Sequence, residues 1–525
     1  MKMIGVCCGH DVAYAVFENG IPIIHNELER FSRVKAEIGD GMQFLFDTYE
    51  DTDDIVHASY CVNTWRGGIK NRFPESFKKL NSIVQKNGGK FWPNEISVPG
   101  HHQCHAANAF FSSNHKEALI LTIDGGGEDV NKDGKHITTA FTAWKGIDNK
   151  IYELDIVPID KINLGVLWDK MTSQVFSLSG GGPPLGSQAG TVMGMAALGD
   201  PSKYRSKLSQ WKYLAQQAKE SEQNTFDIAA SLQEYTEKII KNYISTYLDI
   251  YPSENLCLSG GVALNCVMVG QIQKWFPSLK NVYVDPVPYD AGIALGGPRY
   301  IWHHVLDNPR IEWKDNATPY LGNTYQLDNV IEQLDKTEKI KYTKVTDDDV
   351  IEIISSDDNV ISVYGGGSES GRRALGNRSI LADPRSPKMK DIINQKVKHR
   401  QWFRPFAPSI MRDEVTNWFE RDVNSPYMDK VIHFKEEVRD KVPAVVHFDG
   451  SARLQTVTEN DNSWYYNFLK KFKEKTGVPI LLNTSFNDRE PIVETPEHAI
   501  NCFLRTDIDY LYFRDYNILV SKIDE

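Results

Sequence analysis

Two stretches of this chain alternate a β-forming run, a polar turn and a second β-forming run, and that repeat limits the fold more than any other feature. In the first, Met3 to Cys8 is apolar, Gly9-His10-Asp11 interrupts, and Val12 to Phe17 resumes. Glu18-Asn19-Gly20 then reads as a hairpin turn into Ile21 to His25. In the second, Ala118 to Ile123 leads into Asp124-Gly125-Gly126-Gly127-Glu128-Asp129, and Ile137 to Trp144 follows. Two such units in one region predict a duplicated, nucleotide-binding α/β architecture.

The pattern continues with a helix. Phe226 to Tyr247 places Ile228, Ala229, Leu232, Tyr235, Ile239, Ile240 and Ile244 at helical spacing. The run Leu256 to Leu258, the pair Gly260-Gly261 and a helix expected from Ala263 make a strand–glycine–helix junction, a geometry that suits a phosphate or adenosine group. Patterning weakens over residues 305–345, where Asn308-Pro309, Pro319 and Gly322 fall, and a domain boundary is expected there. This gives domains of 1–325 and 345–525. The second is also α/β, with strands expected near Val360 to Tyr364, Val442 to Val446, Val478 to Leu482 and Asp509 to Phe513.

A formal net charge of -11 argues against a surface built for nonspecific nucleic-acid or anionic-membrane binding. Cys7, Cys8, Cys61, Cys104, Cys257, Cys266 and Cys502 are odd in number and scattered, with no C-x-x-C. That spacing favours a reducing, cytoplasmic setting over a disulfide framework. No apolar run approaches the roughly 18 residues of a membrane helix.

Three groups of residues carry chemistry. In His101-His102-Gln103-Cys104-His105, His101 and His105 are i and i+4, so on a helix their rings share a face. Asp124 and Asp290 stand in strand-end settings beside glycines. Two imidazoles and two carboxylates suit a first-row divalent ion with open positions. Second, Arg372 to Arg404 holds ten Lys/Arg against Asp383 and Asp391, in an otherwise more acidic chain. Such clusters hold phosphates and phosphoryl transition states. Third, the strand Val478 to Leu482 runs into Asn483-Thr484-Ser485-Phe486-Asn487, with a comparable polar set at Asp449, Ser451 and Arg453. Polar residues at strand ends are common at ligand sites of open α/β sheets. No Walker loop, G-x-S-x-G or Cys-His pairing is present.

In order along the chain, these motifs resemble the O-carbamoyltransferase family of nodulation-factor and antibiotic biosynthesis. The stretches that carry the resemblance are Glu29-Arg30-Phe31-Ser32-Arg33-Val34-Lys35, HHQCHAANAF (101–110), TIDGGGE (122–128), LSGGVALN (258–265), DAGIALGG (290–297), RALGNRSILADPR (373–385), FRPFAPS (403–409), HFDGSARLQTV (447–457) and LLNTSFN (481–487). The resemblance implies an N-terminal domain of the actin and sugar-kinase type and a C-terminal domain similar to threonylcarbamoyl-AMP synthases (YrdC-like). It implies that the C-terminal domain makes carbamoyl-adenylate from carbamoyl phosphate and ATP, with Mg2+ accompanying the ATP. The N-terminal domain then transfers the carbamoyl group to an acceptor hydroxyl. A carbamoyl–phosphoric anhydride hydrolyses easily, which is a reason to keep it from bulk water.

Carried over by motif, His101, His105, Asp124 and Asp290 are expected as metal ligands, for iron(II). His10 and Lys35 match active-site positions of the first domain, and either would orient the acceptor or stabilise developing charge. Gly260, Gly261 and Asn265 are expected to contact the adenylate. In the second domain Arg373, Lys398, Arg453 and Ser485 match residues that bind carbamoyl phosphate and ATP, and Arg378, Arg404 and Asn483 join them. The chain departs from the family pattern at Thr191, at Gly367 and Ser370-Gly371-Arg372, and between Arg489 and Glu490. Arg372 is expected to replace a guanidinium lost at Gly367.

The acceptor is open: a sugar, another small alcohol or a hydroxymethylated nucleobase all offer a suitable hydroxyl. Loops in 36–95 and 158–190, including Ser179 to Ser187, are expected to contact it. A homodimer is the base-rate expectation. The alternatives are a tRNA-modifying threonylcarbamoyl-type enzyme and an ATPase-fold switch without transfer chemistry.

Overall fold

The computed structural model describes residues 1–62, 73–93, 100–127, 129–132, 135–178 and 188–523. Glu128 and the stretch from Ser179 to Ser187 fall outside the described residues. The chain is a mixed α/β protein of two compact units. One comprises Met1–Ser32 and Ala36–Trp313, and the other Arg33–Lys35 and Lys314–Glu525.

The first unit contains two sheets that share one plan. In one, Lys2–Cys8 pairs antiparallel with Ala13–Glu18, which pairs antiparallel with Ile21–Glu27. The other edge of Lys2–Cys8 takes Ile55–Val62 in parallel, and then Phe91–Pro93. In the second sheet, Glu117–Ile123 pairs antiparallel with Lys135–Ile147, which pairs antiparallel with Lys150–Pro158. Its other edge takes Asn255–Ser259 and then Asn281–Val284, both parallel. The strand order is thus repeated, as the two polar-turn units anticipate. The central strands Lys2–Cys8 and Glu117–Ile123 are buried along almost their whole length, as expected where both faces of a sheet are covered. The helix expected from 226 to 247 lies within Glu222–Ile250, whose N-terminus is capped by Ser221.

The second unit is built on one nine-stranded mixed sheet. At its centre, Arg378–Ala382 lies between Val360–Tyr364 and Ile480–Ser485, antiparallel to both. The expected strand at Val442 to Val446 is instead a turn of 3-10 helix, Pro443–Val445, because Pro443 cannot donate to a ladder. The strand expected to stop at Leu482 continues to Ser485, so Asn483 and Ser485 lie on it rather than in the loop beyond. The weakly patterned stretch before residue 345 holds a helix, Leu327–Asp335, and an edge strand, Ile340–Lys344. Cys7, Cys8, Cys104, Cys257, Cys266 and Cys502 are buried thiols. Among the described residues, no helix is long and apolar enough to cross a membrane.

Candidate functional site

In the first unit, helix His101–Ser112 starts at Gly100, whose backbone N–H donates to Gln103 Oε1 at 3.2 Å. Its i, i+4 histidines turn to the same point, and both are buried. Asp124 follows strand Glu117–Ile123, and Asp290 opens the 3-10 turn Asp290–Gly292. Asp124 Oδ2 lies 3.3 Å from His101 Nε2 and 3.2 Å from His105 Nε2. Asp290 Oδ1 lies 3.5 and 3.3 Å from the same nitrogens, which are 3.2 Å from each other.

This spacing fits a divalent ion. Ligand atoms about 2.1 Å from an ion stand about 3.0 Å apart at a right angle and about 3.4 Å apart at the tetrahedral angle. Gly125 N–H donates to Asp124 Oδ1 at 2.7 Å, which turns Oδ2 toward the histidines. Burial opposes ionisation of Asp124, but His101 and His105 outweigh it and hold the carboxyl well below its usual range. His105 Nδ1 meets the buried Ser259 hydroxyl at 3.3 Å, and Ser259 donates to the Pro288 carbonyl. That arrangement supplies the partner a ligating histidine needs on its far nitrogen. His102 faces away, with Nδ1 2.6 Å from Thr122 Oγ1.

The frame around these four side chains is tightly closed. A β-carbon on Gly296 would strike the Cys104 carbonyl, and one on Gly292 the Val287 carbonyl. Backbone contact therefore locks helix His101–Ser112 against helix Ile293–Arg299, which follows Asp290 directly.

His10 adjoins this cluster. Its Nδ1 is 3.0 Å from Asp11 Oδ2 and its Nε2 3.5 Å from Asp290 Oδ2. Burial works against its charge, but Asp11 and Asp290 prevail and raise it to about 9. Lys35 belongs to the segment Arg33–Lys35, which groups with the second unit, and its charge is felt by Lys398.

Gly260 has φ +86 and backs onto the Ile123 backbone, a conformation that requires glycine. The helix expected from Ala263 begins at Cys266 after a 3-10 turn, Gly261–Leu264. Asn265 caps it and exchanges hydrogen bonds with Gln233 at 2.9 and 3.2 Å. Gln233 also donates to Glu237. Burial raises the Glu237 carboxyl above its usual range. The polar pair Gln233 and Glu237 carried no sequence signal, because it lies one turn apart on an otherwise amphipathic helix.

In the second unit the basic strip does not form one patch. Arg378 is fully buried and donates to the carbonyls of Gly365, Gly366 and Asn377, with its guanidinium 3.7 Å from the Tyr364 ring centre. Arg385 is held by Asp383. Arg373 is half-buried. Lys398 is buried and donates to the Ser485 carbonyl and, at 2.7 Å each, to the carbonyl and Oδ1 of Asn487. Burial, then Arg400, Arg404 and Lys35, push its ammonium well below the usual lysine range.

Arg400 and Arg404, in the loop before strand Ala407–Met411, approach Arg453 on strand Ser451–Val457. Burial and then the neighbouring guanidiniums push Arg400 well down and Arg404 to about 10. Among the described residues no carboxylate pairs with any of the three, and Arg453 Nε is buried without a hydrogen-bond partner. Asn483 lies deeper and donates to Ser409, Gln455 and the Ala374 carbonyl. Arg400 and Asn487 lie within the basic strip and the strand-end polar set but match no individual site position of the motif. Gly367 packs against the Tyr320 and Gly322 carbonyls, which would have to move for any side chain at that position.

With these sites in place, the comparisons are specific. Residues 203–298 match the family model for the carbamoyltransferase N-terminus, and 353–521 that for the carbamoyltransferase C-terminus. Nodulation protein NolNO of Sinorhizobium fredii is 33% identical over 97% of this chain and 79% of its own length. Nodulation protein NolO of Bradyrhizobium diazoefficiens is 33% identical over 78% of this chain and 77% of its own. Among solved structures, HypF of T. kodakarensis is similar over 58% of this chain and 48% of its own, at 13% identity and a TM-score of 0.36, too low to bear on the site. The chain belongs to the carbamoyltransferase family.

Proposed function

We propose that the protein is an ATP-dependent O-carbamoyltransferase that makes carbamoyl-adenylate from carbamoyl phosphate and ATP, then moves the carbamoyl group to an acceptor hydroxyl with release of AMP. The observation that carries this reading is the set of mutually repelling guanidiniums, Arg400, Arg404 and Arg453, in the same unit as the buried Lys398. Gathering like charges without carboxylates costs stability, and a polyanionic substrate offsets that cost.

For the atoms to balance, water hydrolyses carbamoyl phosphate to carbamate and inorganic phosphate, a carbamate oxygen then bonds to the α-phosphorus of ATP, and pyrophosphate departs. Arg400, Arg404 and Arg453 would hold the phosphates and take up the charge that collects on the leaving pyrophosphate. Lys398 is fixed by Ser485 and Asn487, so its position needs no reorganisation when an anion arrives. Arg373 would bind the same anions, whereas Arg378 and Asn483 support the floor of the site.

In the first unit, His101, His105, Asp124 and Asp290 would hold a divalent ion, iron(II) being the one the family resemblance implies. When bound, such an ion polarises the carbamoyl or phosphoryl oxygen of the adenylate. The backbone of Gly260 and Gly261 would contact the adenylate phosphate, and Asn265 keeps the adjoining helix end in place. His10, beside Asp290, orients the acceptor hydroxyl.

The test is pyrophosphate and phosphate release from ATP, with and without carbamoyl phosphate, in metal-loaded protein without acceptor. Pyrophosphate dependent on carbamoyl phosphate supports the reading. Pyrophosphate that depends instead on threonine and bicarbonate would replace it with the tRNA-modifying alternative.

A further inference from the structure

Trp402 and Phe448 are 49% and 52% exposed, although each carries a large apolar ring. They meet edge to face, with ring centres 5.4 Å apart and planes at 80°. Trp402 stands midway between Arg400 and Arg404 in the chain, and Phe448 stands five residues before Arg453. The ammonium of Lys390 sits 4.1 Å from the centre of the Phe448 ring and lies near enough to Arg400 for their charges to repel. The aromatic pair is therefore tied to the guanidinium group both along the chain and through Lys390. Exposed rings take a flat π-face, and clustered cations take phosphates. An apolar partner laid on the rings would have to strip water from the neighbouring cations, and a free phosphate would leave the rings bare. A ligand with a flat base at one end and a polyphosphate at the other covers both.

We propose that Trp402 and Phe448 form the platform on which the second unit stacks the base of ATP, with the triphosphate running to Arg400, Arg404 and Arg453. Lys390 covers one face of Phe448, which makes Trp402 the better stacking ring and Phe448 the border beside it. The proposal rests on the reading of the three guanidiniums as phosphate holders and adds the residues that hold the base. Stacking supplies affinity whichever base is present, so the platform distinguishes a nucleoside triphosphate from a bare polyphosphate.

The test reads the tryptophan fluorescence of the full chain, titrated with a non-hydrolysable ATP analogue and separately with inorganic tripolyphosphate, which carries the anion without the base. The analogue should quench a component of the signal that is missing in Trp402→Phe, and tripolyphosphate should leave that component unchanged. Phe448→Leu should weaken the quench. In pyrophosphate release, Trp402→Leu should raise KM for ATP roughly 5- to 150-fold, the range for one lost stacking contact, with KM for carbamoyl phosphate within twofold. Trp402→Phe should restore most of that loss. An identical quench in wild type and Trp402→Phe, or an unchanged KM for ATP in Trp402→Leu, overturns the platform and leaves the donor reaction standing. A quench that depends on Trp402, in protein that releases no pyrophosphate with carbamoyl phosphate, supports the platform and overturns the donor reaction instead.

Discussion

Ser259→Ala should weaken metal binding without touching a ligand. If His105 binds metal through Nε2, its proton must sit on Nδ1, and the Ser259 hydroxyl 3.3 Å away is the acceptor. Ser259 is fully buried, so alanine leaves that N–H with no partner and no water. An unmade buried hydrogen bond costs about 1–3 kcal/mol. Loss of such a partner at metal-bound histidines lowers affinity roughly 10–100-fold, about 1.4–2.7 kcal/mol. The penalty is selective for the metal-bound state, because metal-free His105 can shift its proton to Nε2 and face Asp124 or Asp290. A chelator competition with Mn(II) or Fe(II) reads the affinity, and Ser259→Thr, which keeps the hydroxyl, is the control. Affinity in Ser259→Ala within twofold of wild type would refute the argument that His105 is oriented through this serine.

Other outcomes follow from the second unit and from the interior. Arg404→Ala removes one of three repelling guanidiniums, so the melting temperature should hold or rise while KM for ATP or carbamoyl phosphate rises roughly tenfold or more, as for loss of a charged hydrogen bond; a lower melting temperature with unchanged KM would contradict it. Lys398→Met leaves the Ser485 and Asn487 oxygens without their donor and should cut carbamoyl-phosphate-dependent pyrophosphate release roughly 100-fold or more, measured by coupled assay. Burial, then Arg310, lowers His303 from 6.5 to about 4. The unfolded state therefore binds its proton first, so its contribution is intact above 6.5 and lost as pH falls toward 4, about 3 kcal/mol in all. Denaturant melts at pH 7.5 and 4.5 should show a shallower acid loss in His303→Phe than in wild type. Gly296→Ala should lower both stability and metal affinity, since its β-carbon meets the Cys104 carbonyl on the histidine-bearing helix.

The grouping of His101, His105 and Asp124 was legible because its spacing is local. His101 and His105 are one helical turn apart, and Asp124 ends a strand that an apolar run announces. The role of Ser259 was not legible, since it reaches His105 across 154 positions. The basic strip misled in a different way. Ten cations within 33 positions look like one surface, but strand Arg378–Ala382 buries Arg378 against carbonyls, and only Arg400 and Arg404 emerge beside Arg453. The sheet order that separates them depends on pairings far apart in the chain. At 442–446 the apolar run suggested a strand, and Pro443 decided otherwise.

The glycine contacts between helices His101–Ser112 and Ile293–Arg299 leave the donor atoms little freedom to spread or contract. A cluster mounted on side chains alone could breathe to suit ions of different radius, whereas one fixed backbone to backbone works as a gauge. Ions that match its span bind without deforming the frame, and larger ones, such as calcium, must prise two helices apart. Selectivity among metals would then be set by a mechanical property of residues that never touch the ion.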